Sequence, residues 1–190
     1  RGDTWNINLR STTIKNRIQF LNVTTGYVCG TDLIKTTNGG DNWLTISSLL
    51  FAHDFWALNQ DTAWYVSNES LTGGVYRTTN GGGNWQQQFN QGASNPDKIY
   101  MFNARIGYMN RNGSNSSLYK TTNSGINWFI LNSNESFIDM KFLDSLTGWK
   151  AYGTMKKTTN GGLNWIDQPL PHTQFGAAQM RKFSIINKDT

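Results

Sequence analysis

One ten-residue pattern recurs four times along this chain, and each copy ends in Asn-Trp. The copies are IKTTNGGDNW, YRTTNGGGNW, YKTTNSGINW and KKTTNGGLNW, which end at Trp43, Trp85, Trp128 and Trp165. A remnant of the same pattern, RGDTW, ends at Trp5. Successive tryptophans are 38, 42, 43 and 37 residues apart. A period of about forty residues is typical of the blades of a β-propeller.

A second pattern lies between the copies of the first, and its residues alternate between apolar and polar. Its copies are RIQFLN, DFWALN, KIYMFN, DMKFLD and KFSIIN, which end at Asn22, Asn59, Asn103, Asp144 and Asn187. A short apolar run, GYVCG, AWYVS, GYMNR or GWKAYG, follows each of the first four copies. Alternation that ends in a polar turn predicts a strand followed by a hairpin. The repeating unit is therefore four strands, A to D, with strand D starting at the tryptophan.

These patterns predict an all-β fold, a β-propeller built of four-stranded antiparallel blades. We expect one propeller, or a segment of a larger one, over residues 1–190, with blades at about 17–48, 54–90, 98–132 and 137–170 and partial blades at 1–10 and 181–190. Terminal blades need a capping or closing neighbour. The sequence therefore predicts closure of the ring by further blades or by another chain.

The turn motif between strands C and D is predicted to stabilise the fold. Its Asn can accept hydrogen bonds from the backbone two residues further on, its glycines allow positive φ, and its Trp offers an apolar face between blades. The predicted structural residues are Asn38, Gly39, Trp43, Asn80, Gly81, Trp85, Asn123, Gly125, Trp128, Asn160, Gly161 and Trp165. A basic residue three positions before each Asn is expected to stack on that Trp. A phosphate-binding loop would instead lead into a helix.

The turn motif resembles the Asp-box, or bacterial neuraminidase repeat. The whole unit, with GY or GW on strand B and TTNGG followed by NW, is most similar to the propellers of the photosystem II assembly/stability-factor-like proteins. This resemblance implies a propeller that acts as an interaction or assembly module. The Asp of the Asp-box is Asn at positions 38, 80, 123 and 160. Because this change removes four carboxylates, no metal is expected at these turns, and no cofactor is predicted.

The sequence contains few residues for catalysis. Its two glutamates, Glu69 and Glu135, lie in polar NES segments that are expected to be exposed loops. Asp54 and Asp139 begin equivalent strands A, where Lys98 and Lys182 occupy the same slot, and a solvated or mutually paired set of charges is expected there. Pairing of the two carboxylates across a central channel is the alternative. His53 and Asp54 are neighbours on a strand and should point to opposite faces. The single Cys29 is expected to be a small buried side chain.

The connections between strands B and C, and between blades, differ in every repeat, and loops on a rigid scaffold commonly carry binding. The candidate binding residues on these connections are Phe51, Trp56, Phe89, Arg111, Phe137, His172, Phe175 and Arg181. Aromatic and basic groups of this kind suit a protein or glycan ligand. The net charge of +5 comes from scattered residues, so nucleic acid is not expected as a partner, and neither is membrane insertion.

Three functions remain open from the sequence. The first is a non-catalytic module that binds protein or glycan at an extracellular, cell-surface or periplasmic location. The second is a glycan hydrolase of the sialidase or xyloglucanase kind, with part of its catalytic set outside this segment. The third is an assembly factor that docks a membrane protein complex, as the resemblance implies.

Overall fold

The computed structural model describes residues 14–48, 51–67, 73–90, 96–111, 116–169 and 181–185. These residues contain sixteen β-strands, which form four antiparallel sheets of four strands each. The predicted all-β class with four-stranded antiparallel blades is therefore confirmed. The predicted partial blade 1–10, with the remnant that ends at Trp5, lies outside the described residues. Of the predicted partial blade 181–190, only residues 181–185 are described.

Each sheet is a simple meander in which the strands pair in chain order. Sheet 1 contains β1 (Lys15–Phe20), β2 (Gly26–Gly30), β3 (Asp32–Thr36) and β4 (Leu44–Ser48). Sheet 2 contains β5 (Ala52–Ala57), β6 (Ala63–Ser67), β7 (Gly74–Thr78) and β8 (Gln86–Phe89). Sheet 3 contains β9 (Pro96–Met101), β10 (Gly107–Arg111), β11 (Ser117–Thr121) and β12 (Phe129–Ser133). Sheet 4 contains β13 (Asp139–Phe142), β14 (Gly148–Tyr152), β15 (Thr154–Thr158) and β16 (Ile166–Gln168).

The chain divides into two compact units, Arg1–Ile99 and Tyr100–Thr190. In the first unit, sheets 1 and 2 share a core in which Tyr27, Cys29 and Leu33 pack with Phe55 and Ala57. Cys29 is free and fully buried, as expected. Burial raises the pKa of its thiol to about 12, so this cysteine is an unreactive packing group.

The turn between strands C and D is held by the first Thr of the motif in all four described sheets. In sheet 1, Thr36 Oγ1 donates to Asn38 Oδ1 and accepts the N–H of Gly40, each at 2.9 Å. The Asn38 side chain in turn accepts the N–H of Asn42 at 2.9 Å. The same bonds form around Thr78, Thr121 and Thr158. The motif is thus a structural turn, although its Asn bonds four residues ahead rather than two.

Bonding two residues ahead occurs instead in the turn between strands A and B. Asn22 Oδ1 accepts the N–H groups of Thr24 and Thr25 at 3.0 and 2.8 Å. Asn59, Asn103 and Asp144 make the equivalent pairs of bonds. The two turns are joined in each sheet, for example by the Gly39 N–H, which donates to Thr24 O at 2.8 Å. One end of each described sheet therefore carries the same set of turn hydrogen bonds.

One copy of this turn carries a non-glycine residue in a left-handed conformation. Ser124 has φ of 67°, where Gly39, Gly81 and Gly161 stand in the other sheets. A side chain in this conformation costs about 1 kcal/mol, so Ser124→Gly is expected to raise the free energy of unfolding by about that amount. Urea unfolding measures the change. The reciprocal Gly81→Ser variant should lose a similar amount, and equal stability of all three proteins would contradict this prediction.

The basic residue before each turn stacks on a partner that the sequence did not predict. Lys35, Arg77, Lys120 and Lys157 lie 5.1–5.5 Å from the ring centres of Tyr27, Trp64, Tyr108 and Trp149. Each of these aromatic residues pairs directly with the basic residue across strands B and C. The expected stacking on the turn Trp was therefore wrong. Side chains that stand directly opposite each other on neighbouring strands lie on the same face of the sheet and contact each other. The basic residue therefore stacks on its cross-strand partner and not on the Trp beyond the turn.

Candidate binding cavity at the loop end of sheet 4

The candidate binding residues predicted from the loops differ in exposure. Phe51 and Arg181 are exposed, whereas Trp56, Phe89 and Arg111 are half-buried. Phe137 is 2% exposed, so its ring is a packing group and the expectation that it faces a ligand is corrected. His172 and Phe175 lie outside the described residues.

A departure from the repeat pattern in sheet 4 marks a different site. The third residues of strands B and C are cross-strand partners, and in sheets 1 to 3 they are Val28 with Ile34, Tyr65 with Tyr76, and Met109 with Tyr119. In sheet 4 the same pair is Lys150 with Lys156. Like charges directly opposite each other destabilise a sheet. A repeat protein that breaks its own packing rule in this way does so most often at a functional site.

Glu135 bridges the two lysines. Its Oε2 accepts a hydrogen bond from Lys150, and its Oε1 accepts one from Lys156 at 2.9 Å. The Lys150 side chain is only 2% exposed, whereas those of Lys156 and Glu135 are 27% and 25% exposed. Burial lowers the pKa of Lys150, against the attraction of Glu135. Burial opposes ionisation of Glu135, but the hydrogen bonds from both lysines outweigh it and lower its pKa.

The segment that carries Glu135 is fixed at several points. The Asn134 N–H donates to Ser116 O at 2.7 Å, and the Ile138 N–H donates to Ala151 O at 2.8 Å. Asn110, which is fully buried, donates from Nδ2 to Ser136 Oγ and to the Phe137 carbonyl. The expectation that Glu135 lies in an exposed loop was therefore wrong. The connection from sheet 3 to sheet 4 is held by hydrogen bonds, and it places the Glu135 carboxylate against Lys150 and Lys156.

These groups line a cavity of about 180 Å³. Its described lining residues are Ser116, Asn134, Glu135, Ser136, Lys150, Tyr152, Thr154 and Lys156. Tyr152 is 55% exposed. The cavity lies at the end of sheet 4 that carries the B–C connection and the connection between blades, which is the end where the sequence predicted binding. A wider depression of about 500 Å³ lies at the turn end of sheet 3. Its lining, residues 103–106 and Thr122, includes no buried charged group.

The charged residues at the start of strand A form hydrogen bonds and an ion pair with other strands. Asp54 is 3% exposed; its Oδ2 accepts the Ile99 N–H at 3.1 Å, and its Oδ1 lies 3.6 Å from Arg17 Nη1. Asp139 repeats the first contact, since its Oδ2 accepts the Phe183 N–H at 3.2 Å. Asp54 therefore pairs with Arg17, and Lys98 adds a favourable charge to the same carboxylate. These carboxylates connect strands and are not open to a substrate.

Asp54 gives a pH-dependent prediction. Burial raises the pKa of Asp54 against the opposing charges of Arg17 and Lys98. A raised carboxyl pKa means that the folded chain binds the proton more tightly, so this contribution is present at low pH and lost as pH rises through the folded pKa. Asp54→Asn removes the charge that burial disfavours and keeps the side-chain shape, so we expect it to raise the free energy of unfolding at pH 7. Denaturant titrations of both proteins from pH 4 to 8 measure the difference in free energy of unfolding. A variant less stable than the unchanged chain at pH 7 would contradict the prediction.

His53 contacts a carboxylate other than that of its neighbour Asp54. His53 Nδ1 lies 2.8 Å from Asp97 Oδ1 rather than against Asp54, which is consistent with the expected opposite orientation of the neighbours on the strand. No group of three or more His, Cys, Asp or Glu side chains within the described ranges could hold a metal ion. The described part of the chain also has no helix with the length and apolar character needed to cross a membrane.

Solved structures show the same fold. A YCF48 protein bound to a D1 peptide is 19% identical, with a TM-score of 0.62 over 85% of this chain and 56% of that one. YCF48 from Cyanidioschyzon merolae is 16% identical, with a TM-score of 0.59 over 88% of this chain and 64% of that one. An ancestral GH74 enzyme is 16% identical, with a TM-score of 0.65 over 80% of this chain and 23% of that one.

These likenesses establish a β-propeller-like fold and nothing about chemistry, since the fold hosts both binding proteins and enzymes. The chain spans about half to two thirds of the YCF48 chains and less than a quarter of the ancestral GH74 enzyme. No protein-family model matches the sequence. No curated protein matches it either.

Proposed function

We propose that this chain is a non-catalytic propeller module that binds a protein partner through the cavity at the loop end of sheet 4. The observation that carries the proposal is the replacement of an apolar cross-strand pair by Lys150 and Lys156. This replacement places a buried ammonium group in a cavity with an exposed tyrosine at its edge. Aromatic rings and cationic groups around a small pocket are the usual anchors of protein recognition.

The solved YCF48 structure with a D1 peptide supports a peptide as the kind of ligand, because that neighbour shares the fold. The GH74 neighbour raises the alternative of glycan hydrolysis. Glycosidases generally need two carboxyl groups that flank the bond to be cleaved. Glu135 is the one carboxylate among the described residues that line this cavity. At this cavity the residues therefore favour binding over hydrolysis. An extracellular, cell-surface or periplasmic location is part of the same proposal.

A peptide-display selection tests the function. A random peptide library is selected on the immobilised chain, and the enriched peptides are synthesised and titrated against it. We expect Lys156→Met to weaken binding at least about tenfold, since the loss of one close charge contact is worth 1.4 kcal/mol or more. The matched control is Lys157→Met, one residue along the same strand, where the side chain stacks on Trp149 outside the cavity.

Two results would overturn the proposal. The first is that no peptide is enriched over the bare support. The second is that the enriched peptides bind both lysine variants as well as they bind the unchanged chain, because binding would then occur away from this cavity.

A further inference from the structure

The charges of the cavity are unbalanced. Among the described residues that line it, two ammonium groups, Lys150 and Lys156, face one carboxylate, Glu135. Asp167, which the described lining does not include, adds only a weaker attraction on Lys150. A pocket with excess positive charge and low exposure favours an anionic ligand, since the attraction between charges is stronger where water is partly excluded.

The remaining lining residues add hydrogen-bonding groups. Ser116, Ser136 and Thr154 bring hydroxyl groups, and Asn134 brings an amide. The cavity volume of about 180 Å³ is enough to admit one small acidic side chain. Tyr152, at 55% exposure, offers a ring on which the chain next to that side chain can pack.

Glu135 already makes the contacts that a ligand carboxylate would make. One of its oxygens accepts from each lysine. Because the Lys150 ammonium also donates to Ser136 O at 3.2 Å, it keeps one bond when Glu135 moves aside. Glu135 and Lys156 are each about one quarter exposed. An incoming carboxylate can therefore replace Glu135 without burying a new unpaired charge.

We propose that the cavity binds the carboxylate of an Asp or Glu side chain in a partner peptide, and that Glu135 is a built-in competitor for that position. This inference rests on the proposed function, and it adds the chemistry of the ligand. It also gives a role to the two lysines that stand opposite each other in sheet 4, since both contact the same carboxylate.

The test measures the binding of three defined probes to the isotope-labelled full chain by NMR. They are acetyl-Gly-Glu-Gly-amide, the same tripeptide with Gln in place of Glu, and free glucuronate. We expect the Glu tripeptide to shift the signals of Tyr152 and Lys156, and the Gln tripeptide to bind at least about tenfold more weakly. Lys156→Met should abolish the shifts, whereas Lys157→Met should leave them unchanged.

The competitor is tested with Glu135→Gln, which keeps a hydrogen-bond acceptor for Lys150. We expect this variant to bind the Glu tripeptide about tenfold more tightly, since a repelling carboxylate is removed. A urea titration of the same variant shows that it is folded. Unchanged or weaker binding by the folded variant would overturn the competitor role.

Other outcomes separate this inference from the proposed function. If peptides from the display selection bind at the cavity but neither tripeptide does, the acidic ligand is wrong and the interaction module stands. If the Glu tripeptide binds but no peptide is enriched, the anion site stands and the interaction module is wrong. Binding of glucuronate without the tripeptide would overturn the inference in favour of an acidic polysaccharide.

Discussion

Glu135→Ala is expected to lower the free energy of unfolding of the unit that contains sheet 4 by about 3 kcal/mol. The reason is that Lys150, at 2% exposure, loses the carboxylate that balances its charge. The penalty for an unpaired buried charge is about 3–5 kcal/mol, and the lower end applies because Glu135 itself is one quarter exposed. Urea unfolding, together with hydrogen exchange of the β14 amides, measures the loss.

A second substitution identifies the cause of this loss. In the Glu135→Ala background, Lys150→Met removes the unpaired charge and fills the position with an apolar side chain, as in sheets 1 to 3. The double variant should regain most of the lost stability. A double variant that is less stable than Glu135→Ala would contradict the charge explanation, and so would a single variant within about 0.5 kcal/mol of the unchanged chain.

Acid should have opposite effects at Glu135 and Asp54. The pKa of Glu135 lies below its ordinary value of 4.5, so the stability it contributes is present above that pH and is lost as pH falls through the lowered pKa. The pKa of Asp54 is raised, so acid favours the folded form there. Hydrogen exchange resolved by residue distinguishes the two, because β14 loses protection in acid while β5 does not.

Thr158→Val is expected to lower the free energy of unfolding by about 2 kcal/mol. The hydroxyl of Thr158 is buried and bonds Asn160 Oδ1 at 3.0 Å and the Gly162 N–H at 2.9 Å. Valine has the same shape and keeps the preference for a strand, so the change removes the hydrogen bonds alone and leaves a buried N–H without its partner. Urea unfolding and the exchange rate of the Gly162 amide measure the effect.

The matched control is Thr159→Val, since Thr159 is the next residue and is exposed. This change should stay within about 0.5 kcal/mol of the unchanged chain. Equal losses from the two substitutions would show that the turn is not held by the buried hydroxyl.

The repeated elements were predictable because they depend on local rules. Alternation of apolar residues and the polar turn residue defined strand A, and the TTNGG motif defined the turn before strand D. The pleat then fixes which side chains share a face of each sheet. The sequence pattern did not yield the partner of Lys35 or Arg77, because that choice depends on the register between strands B and C, which only the structure shows.

The cavity was missed because its three charged residues come from separate segments. Glu135 precedes sheet 4, while Lys150 and Lys156 lie on neighbouring strands 15 and 21 residues further on. One signal was available in the sequence, since Lys150 and Lys156 stand where the other repeats have Val28, Tyr65 or Met109 and Ile34, Tyr76 or Tyr119. A comparison of the repeats position by position would have identified both lysines.

For Phe137 the sequence predicted an exposed binding residue, whereas the structure shows a buried one. It lies on a connection that varies between repeats, and such connections predict exposure. The structure buries it because Asn110 holds the adjacent backbone and Ile138 pairs with Ala151. A variable loop can therefore be part of the packing.

The claim that binding occurs at the loop end of sheet 4, and not at its repeated turns, is tested by photocrosslinking. Benzoylphenylalanine is placed at Tyr152, beside the cavity, or at Thr159, on the turn at the other end of the same sheet. Both positions are exposed. The peptides enriched in the display selection are predicted to crosslink at Tyr152 and not at Thr159. Crosslinking at Thr159 alone, or equally at both positions, would contradict the claim.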